Sequence, residues 1–352
     1  MGKLNHTVIR VGLESLYFSG AHHVLQPFAG GIGAILMLHH VRPAKPDAFQ
    51  PNRLLEITPE YLERIVTYLR GSGLDLVSLD EAYRRIAAGQ TDRRFVVVTL
   101  DDGYRDVQQY AYPIFKAHQV PFTMYIATSF AEHSGELWWL ALEAVIARNG
   151  QISLVMDGTE RHFDCATTAA KYETFARIYW WLRSLPTEED LRGAVRDLAA
   201  RYRVDVLGFC KKLCMTWDEL AQMAQDPLVT IAAHTVNHVI LKKVSESDVM
   251  TEMAASQAKI QAALGVTPAH FAYPVGDATA AGPREFKIAA ELGFKTAVTT
   301  RPGVIFPEHR DHLLALPRIS VNGEFQKLRY FQVLLSGAAT GLANRFRHVN
   351  AA

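Results

Sequence analysis

Hydrophobic and polar positions along the chain fall into short apolar runs separated by amphipathic stretches of helical length. The runs are Ala34–Leu38, Leu74–Ser78, Phe95–Leu100, Phe122–Ile126, Val229–Ala233, His270–Tyr273, Thr296–Thr299 and Leu316–Ser320. Their apolarity is continuous rather than alternating, which suits strands buried on both faces. Pro59–Gly71, Tyr104–His118, Ser245–Leu264 and Pro283–Leu292 read as helices lying between many of them. This alternation predicts an α/β chain folded as a distorted (β/α) barrel. The barrel is expected over residues 32–323, after a helical segment at 1–31 and before a helical tail at 324–352. A helical insertion is expected at about residues 129–227, carrying Trp138-Trp139 and Trp180-Trp181. Those aromatics either pack inward or form a sugar-stacking wall beside the mouth.

Parallel barrels gather their chemistry at the carboxyl ends of the strands. His39 follows the first run, Asp101-Asp102 the third, and His234 the run that begins at Val229. Two adjacent carboxylates repel and lose solvation unless a cation or a proton separates their roles. His234 and His238, four residues apart, can converge on one ion if their segment turns helically. One carboxylate and two imidazoles leave coordination positions open for water and substrate. Taken singly, Asp-Asp-Gly also fits a solvated turn, and the histidine pair also fits a surface helix.

Composition narrows the partners. With 37 Lys+Arg against 36 Asp+Glu and a formal charge of +1, the chain has no global field to attract nucleic acid. Cys165, Cys210 and Cys214 cannot all pair, and their spacing suits neither a zinc ribbon nor a redox motif. They read as reduced packing residues of a cytoplasmic protein, and no export signal is evident. Leu16 to Val41 contains no Asp, Glu, Lys or Arg, yet its glycines and histidines suit a helix, a glycine turn and a strand better than a membrane span. Peripheral membrane contact through the first helix stays open.

Three motifs in order, Thr-Leu-Asp-Asp-Gly at 99–103, His-Thr-x-x-His at 234–238 and Phe-Ala-Tyr-Pro-x-Gly at 271–276, resemble those of the polysaccharide deacetylases, carbohydrate esterase family four. The resemblance implies a metal triad of Asp102, His234 and His238, with Asp101 as general base. It implies one divalent ion, zinc first, with cobalt, nickel or manganese compatible with the same ligands. It implies an acetylated oligo- or polysaccharide as substrate, and an oxyanion and substrate role around Tyr273, Pro274 and Val275, where the Val275 backbone amide matches the position that steadies the oxyanion. Leu36-Met37-Leu38-His39 resembles the opening of the circularly permuted poly-N-acetylglucosamine deacetylases, which makes His39 the general acid, with His40 as competitor. Two departures stand out. Ala272 occupies the place where many relatives carry an arginine beside the base, and the Asp and Trp of the fourth motif have no match near Ala297–Gly303. Arg318 or Arg301, at strand ends, is expected to supply the missing cation. A catalytically silent carbohydrate-binding barrel, or the same chemistry on a lipid-linked sugar at the inner membrane face, are the alternatives.

Overall fold

The computed structural model describes residues 3–90 and 92–351. Seven parallel strands close into a barrel: β1 Gly33–Leu38, β2 Phe95–Asp101, β3 Phe122–Ile126, β4 Val229–Ala233, β5 His270–Ala272, β6 Thr296–Pro302 and β7 Leu316–Ser320. Around the ring the order is β1–β7–β6–β5–β4–β3–β2, and β2 returns to β1 in register from Gly33↔Phe95 to Leu38↔Leu100. The ring is irregular at two seams. β4 and β5 share the single pairing Phe271↔Ala233, and the β6–β7 register shifts between Val298 and Pro302.

The run at Leu74–Ser78 is not a stave. Only Asp75–Leu76 pairs, against Phe95 and Val96, and from Val98 onward the strand β3 takes the partners. Inside the barrel, Ile35, Phe95, Val97, Tyr125, Ala232, Ala272, Val298 and Leu316 form one apolar cluster. The opposite faces of the strands pack into a larger cluster beneath the helices. Because side chains alternate along a strand, the series Phe95, Val97, Thr99, Asp101 runs up the interior wall of β2 and ends in a carboxylate at the mouth.

The terminal segment forms α1 Lys3–Phe18 and α2 Ala21–Ala29, then turns through Gly31 (φ 56°) into β1. Among the described residues no helix is long and apolar enough to cross a membrane. Helix α3, Pro59–Gly71, starts at the Thr58 cap, whose side chain accepts from the Tyr61 amide, and buries Tyr61, Leu62, Ile65, Val66 and Leu69 on one face. The stretch after Asp-Asp-Gly is not one α-helix. It opens with a π-helical turn at Val107–Ala111, followed by Tyr112–Ala117, where Pro113 cannot donate to the preceding turn.

The insertion between β3 and β4 holds α4 Trp138–Arg148, α5 Thr168–Ser184 and α6 Glu188–Arg201, with shorter helices at Gly208–Leu213 and Trp217–Ala224. It is not wholly helical. Gln151–Met156 and Thr159–Asp164 form an antiparallel hairpin across Asp157-Gly158, both at positive φ (52° and 75°), as a tight primed turn requires. Helix α7, Glu246–Leu264, is capped by Ser245 and closed by Gly265 in the left-handed region. The tail is two helices, α8 Leu328–Leu335 and α9 Ala338–Ala343. Gly337 breaks them, at φ 76° and so close to Ala29 that a Cβ would lie 1.9 Å from its carbonyl oxygen.

Candidate active site

Three loops at the carboxyl ends of β2, β4 and β5 make the mouth, and each contains residues in the left-handed region. These are Asp102 (φ 75°) and Gly103 (70°), Thr235 (64°) and His238 (53°), and Val275 (61°) and Gly276 (62°). For β-branched Thr235 and Val275 this conformation is strained, and strain of this kind persists only where the surroundings impose it.

Asp101 ends β2 facing inward, and the turn at Asp102 brings the next carboxylate to the same cavity. Asp101 is held by Arg318, which donates from Nη1 to Oδ1 and from Nη2 to Oδ2, both at 2.7 Å. The same guanidinium donates to the Thr299 carbonyl at 2.9 Å and to Thr99 Oγ1 at 3.2 Å, and it is fully buried. Burial alone would raise the Asp101 pKa, but the charge and hydrogen bonds of Arg318 outweigh it and keep the carboxyl below its usual range.

Asp102 is different. Its Oδ1 is buried and accepts no hydrogen bond, yet it lies 3.5 Å from His234 Nε2 and 3.4 Å from His238 Nε2. His234 Nδ1 donates to the Ala272 carbonyl at 2.7 Å, which leaves the Nε2 lone pair pointing at the carboxylate. Burial pushes the His238 pKa down to about 3, so that ring is neutral. An unpartnered carboxylate oxygen facing two imidazole nitrogens, with all three ligand atoms within 4.8 Å of one another, fits a divalent cation.

The segment carrying the histidines is not helical. Glu252 on α7 accepts from the Val236 and Asn237 amides, both at 2.9 Å, and Thr235 Oγ1 accepts from the His238 amide. These bonds fold the loop so that both rings turn to one point. From the insertion, Arg192 on α6 donates to the Asn237 carbonyl at 2.7 Å and is itself held by Glu188 and Glu136. Glu188 also accepts from the Ile240 amide. Trp139 and Phe130 pack on the His238 ring at 5.1 and 5.6 Å. Replacing Arg192 with Met is therefore expected to weaken divalent-metal affinity about 10- to 100-fold, the usual effect of losing an outer support, as measured by titration of the metal-free protein. An unchanged affinity would show that the loop holds its shape without this brace.

His39 stands at the mouth with its Nε2 3.9 Å from Asp101 Oδ2, its side chain partly exposed. Burial lowers its pKa, a shift that Asp101 and Asp102 oppose only in part. His40 turns the other way, its Nδ1 2.6 Å from Asp106 Oδ2 and its ring stacked 3.5 Å from Tyr104. Val275 sits across the mouth; its amide makes no hydrogen bond among the described residues, while its carbonyl accepts from Thr300 Oγ1 at 2.6 Å.

The sequence model of the polysaccharide deacetylase family matches residues 88–297. The chain belongs to the polysaccharide deacetylase family. The deacetylase is a hydrolase of an acetylated sugar. No curated protein matches it by sequence. Among solved structures it resembles the Streptococcus pyogenes deacetylase PplD, in complex with acetate, at 20% identity and a TM-score of 0.57, covering 86% of this chain and 97% of that one. IcaB from Ammonifex degensii is similar at 18% identity and TM-score 0.54, covering 88% and 97%. A de-N-acetylase from Aggregatibacter actinomycetemcomitans follows at 16% and 0.51, covering 86% and 99%. At these identities the likeness shows a shared fold.

Some expected residues of the deacetylase lie elsewhere. Tyr273 follows inward-facing Ala272 and so points outward; its hydroxyl donates to the Leu314 carbonyl at 2.9 Å among Phe271 and Phe286, away from the mouth. Pro274 is buried beneath the Val275 turn. Arg318 contacts Asp101 from below rather than lining the mouth, and Arg301 serves the Ala281 and Asn350 carbonyls instead. Trp138 and Trp139 are buried, and only Trp180 of the two pairs is largely exposed. Tyr104, Arg192 and Glu252 escaped the sequence reading. Tyr104 directly follows Asp-Asp-Gly, and burial together with the Asp102 charge holds its hydroxyl protonated far above the usual range.

Arg318→Gln removes the cation that offsets burial at Asp101. A base works only above its pKa, so the acid limb of the kcat/KM profile is expected to move to higher pH, by about one unit or more. An unmoved limb would separate Arg318 from the ionisation of Asp101.

Proposed function

We propose that the protein is a divalent-metal-dependent N-deacetylase of a polysaccharide or oligosaccharide containing N-acetylglucosamine, with zinc as the first choice of ion. The observation that carries this reading is the pairing of two unlike carboxylates: Asp101 locked to Arg318, and Asp102 with a bare oxygen facing His234 and His238. Asp102, His234 and His238 would hold the ion, which when bound supplies Lewis-acid polarisation of the acetyl carbonyl and acidifies water.

Asp101, ionised because of Arg318, accepts the proton of the attacking water. As the carbonyl oxygen gains negative charge, the Val275 amide donates to it without needing to break an existing bond. His39 gives a proton to the departing nitrogen, so acetate and a free amine leave.

The silent-barrel alternative rests on the lack of an arginine at Ala272 and of the fourth-motif tryptophan, and the guanidinium of Arg318 supports the hydrolase against the first of these. Acetate release from acetylated glucosamine oligomers and polymers, assayed on metal-free and zinc-reconstituted protein, tests the proposal. Release only after reconstitution is expected; a zinc-loaded, folded protein inert on every such glycan would overturn it.

A further inference from the structure

Helix α1 is apolar on two opposite faces. Ile9, Leu13 and Leu16 pack against the tail helix α8, around Tyr330 and Val333. Val8, Val11 and Phe18, half a turn round the helix, are 60–74% exposed, and the Arg329 guanidinium of α8 lies over the Phe18 ring at 5.7 Å. Helix α2, which packs against α1, adds Val24 and Phe28, 71% and 73% exposed. Phe28 shares a shallow crevice with Phe346 and Arg347 of the tail. Scattered exposed apolar residues are ordinary on a protein surface, but five large ones on two adjoining helices are not.

The charge around the patch is equally uneven. The described side chains of residues 6–31 and 324–351 include Arg10, Lys327, Arg329, Arg345 and Arg347 against Glu14 and Glu324, a net +3 in a chain whose total is +1. Both acids are engaged: Glu14 by Arg329 and Tyr330, and Glu324 by Arg10. Arg345 and Arg347 are exposed beside Phe346.

We propose that this terminal helical face is a peripheral docking surface for an anionic phospholipid bilayer. Apolar side chains set in a cationic surround match the interfacial region of such a membrane, where acyl chains lie beneath negatively charged headgroups. A second protein copy would bring the same positive charge against itself. The arrangement docks without spanning, in keeping with the absence, among the described residues, of any helix long and apolar enough to cross. Helix α1 flanks the barrel: Arg10 meets Glu324 beyond the carboxyl end of β7, and α2 ends at Gly30 before the amino end of β1. Docking by this flank does not depend on the deacetylase chemistry.

Cosedimentation of the full chain with vesicles tests the surface, using phosphatidylcholine alone and phosphatidylcholine with roughly one-third phosphatidylglycerol. The protein is expected to bind the anionic vesicles and to bind them more weakly in about 0.5 M salt. A variant combining Val8→Ser, Val11→Ser, Val24→Ser and Phe28→Ser is expected to lose at least tenfold in affinity with an unchanged melting temperature. Arg345→Ser with Arg347→Ser should weaken binding to the anionic vesicles only. Folded wild type left in the supernatant with both vesicles overturns the proposal, as does a fourfold variant that binds as tightly as wild type. A wild-type dimer that the fourfold variant dissolves, with no vesicle binding by either, also overturns it by making this face a self-association surface.

Discussion

Asp101→Asn lowers kcat for acetate release by about 10²- to 10⁴-fold, the usual contribution of a positioned general base, while divalent-metal affinity stays close to wild type. The asparagine is nearly isosteric, so the cavity keeps its shape. What it loses is the negative charge that accepts a proton and that the two hydrogen bonds from Arg318 at 2.7 Å hold in place. The same change leaves a buried guanidinium without its counter-ion, and breaking such a pair costs on the order of 3–5 kcal/mol. Activity is therefore to be read well below the melting temperature, with thermal unfolding followed in parallel. Turnover within tenfold of wild type, in a folded and metal-loaded protein, would remove Asp101 from the role of base.

Removing an imidazole acts on a different step. His238→Ala is expected to lower zinc affinity by at least about a hundredfold, more than the loss of an outer support does, and acetate release falls with it at any sub-saturating zinc. A second readout is independent of turnover. An ion at roughly 100 times its dissociation constant stabilises the folded state by about 2.7 kcal/mol, so zinc should raise the melting temperature of wild type but not of the variant. His238 also packs against Trp139 and Phe130, so a cavity will lower the metal-free baseline. The zinc-induced difference, not the baseline, is the test. A variant that zinc still stabilises to the wild-type extent would exclude this ring from the ion site.

Much of the barrel was legible because its strands are buried on both faces. The runs ending near His39, Asp101 and His234 became β1, β2 and β4, and their carboxyl ends meet at one mouth. The period of two also orients the third motif: with Ala272 facing in, Tyr273 has to face out, and its hydroxyl reaches the Leu314 carbonyl. It also separates His39 from His40. The Asp157-Gly158 hairpin carried a strong turn signal inside a segment read as helical, and Gly337 carried the break that divides the tail.

Other features had no local signal. Leu74–Ser78 has the composition of a strand, and only the competition of β3 for the edge of β2 keeps it short. The histidine loop is shaped by Glu252 and Arg192, which come from helices whose own sequences say nothing about it. That Arg318 rather than Arg301 reaches Asp101 follows from closure of the ring, which places β7 and β2 on either side of β1.

The central claim is that Asp102, His234 and His238 share one divalent ion beside an ionised Asp101. Anomalous diffraction at the zinc edge, from crystals of the zinc-loaded protein, tests it directly. The account predicts one strong peak between the Asp102 carboxylate and the two Nε2 atoms, at about 2.0–2.2 Å from each ligand. A map with no peak there, or with bound zinc held only by other residues, would contradict it.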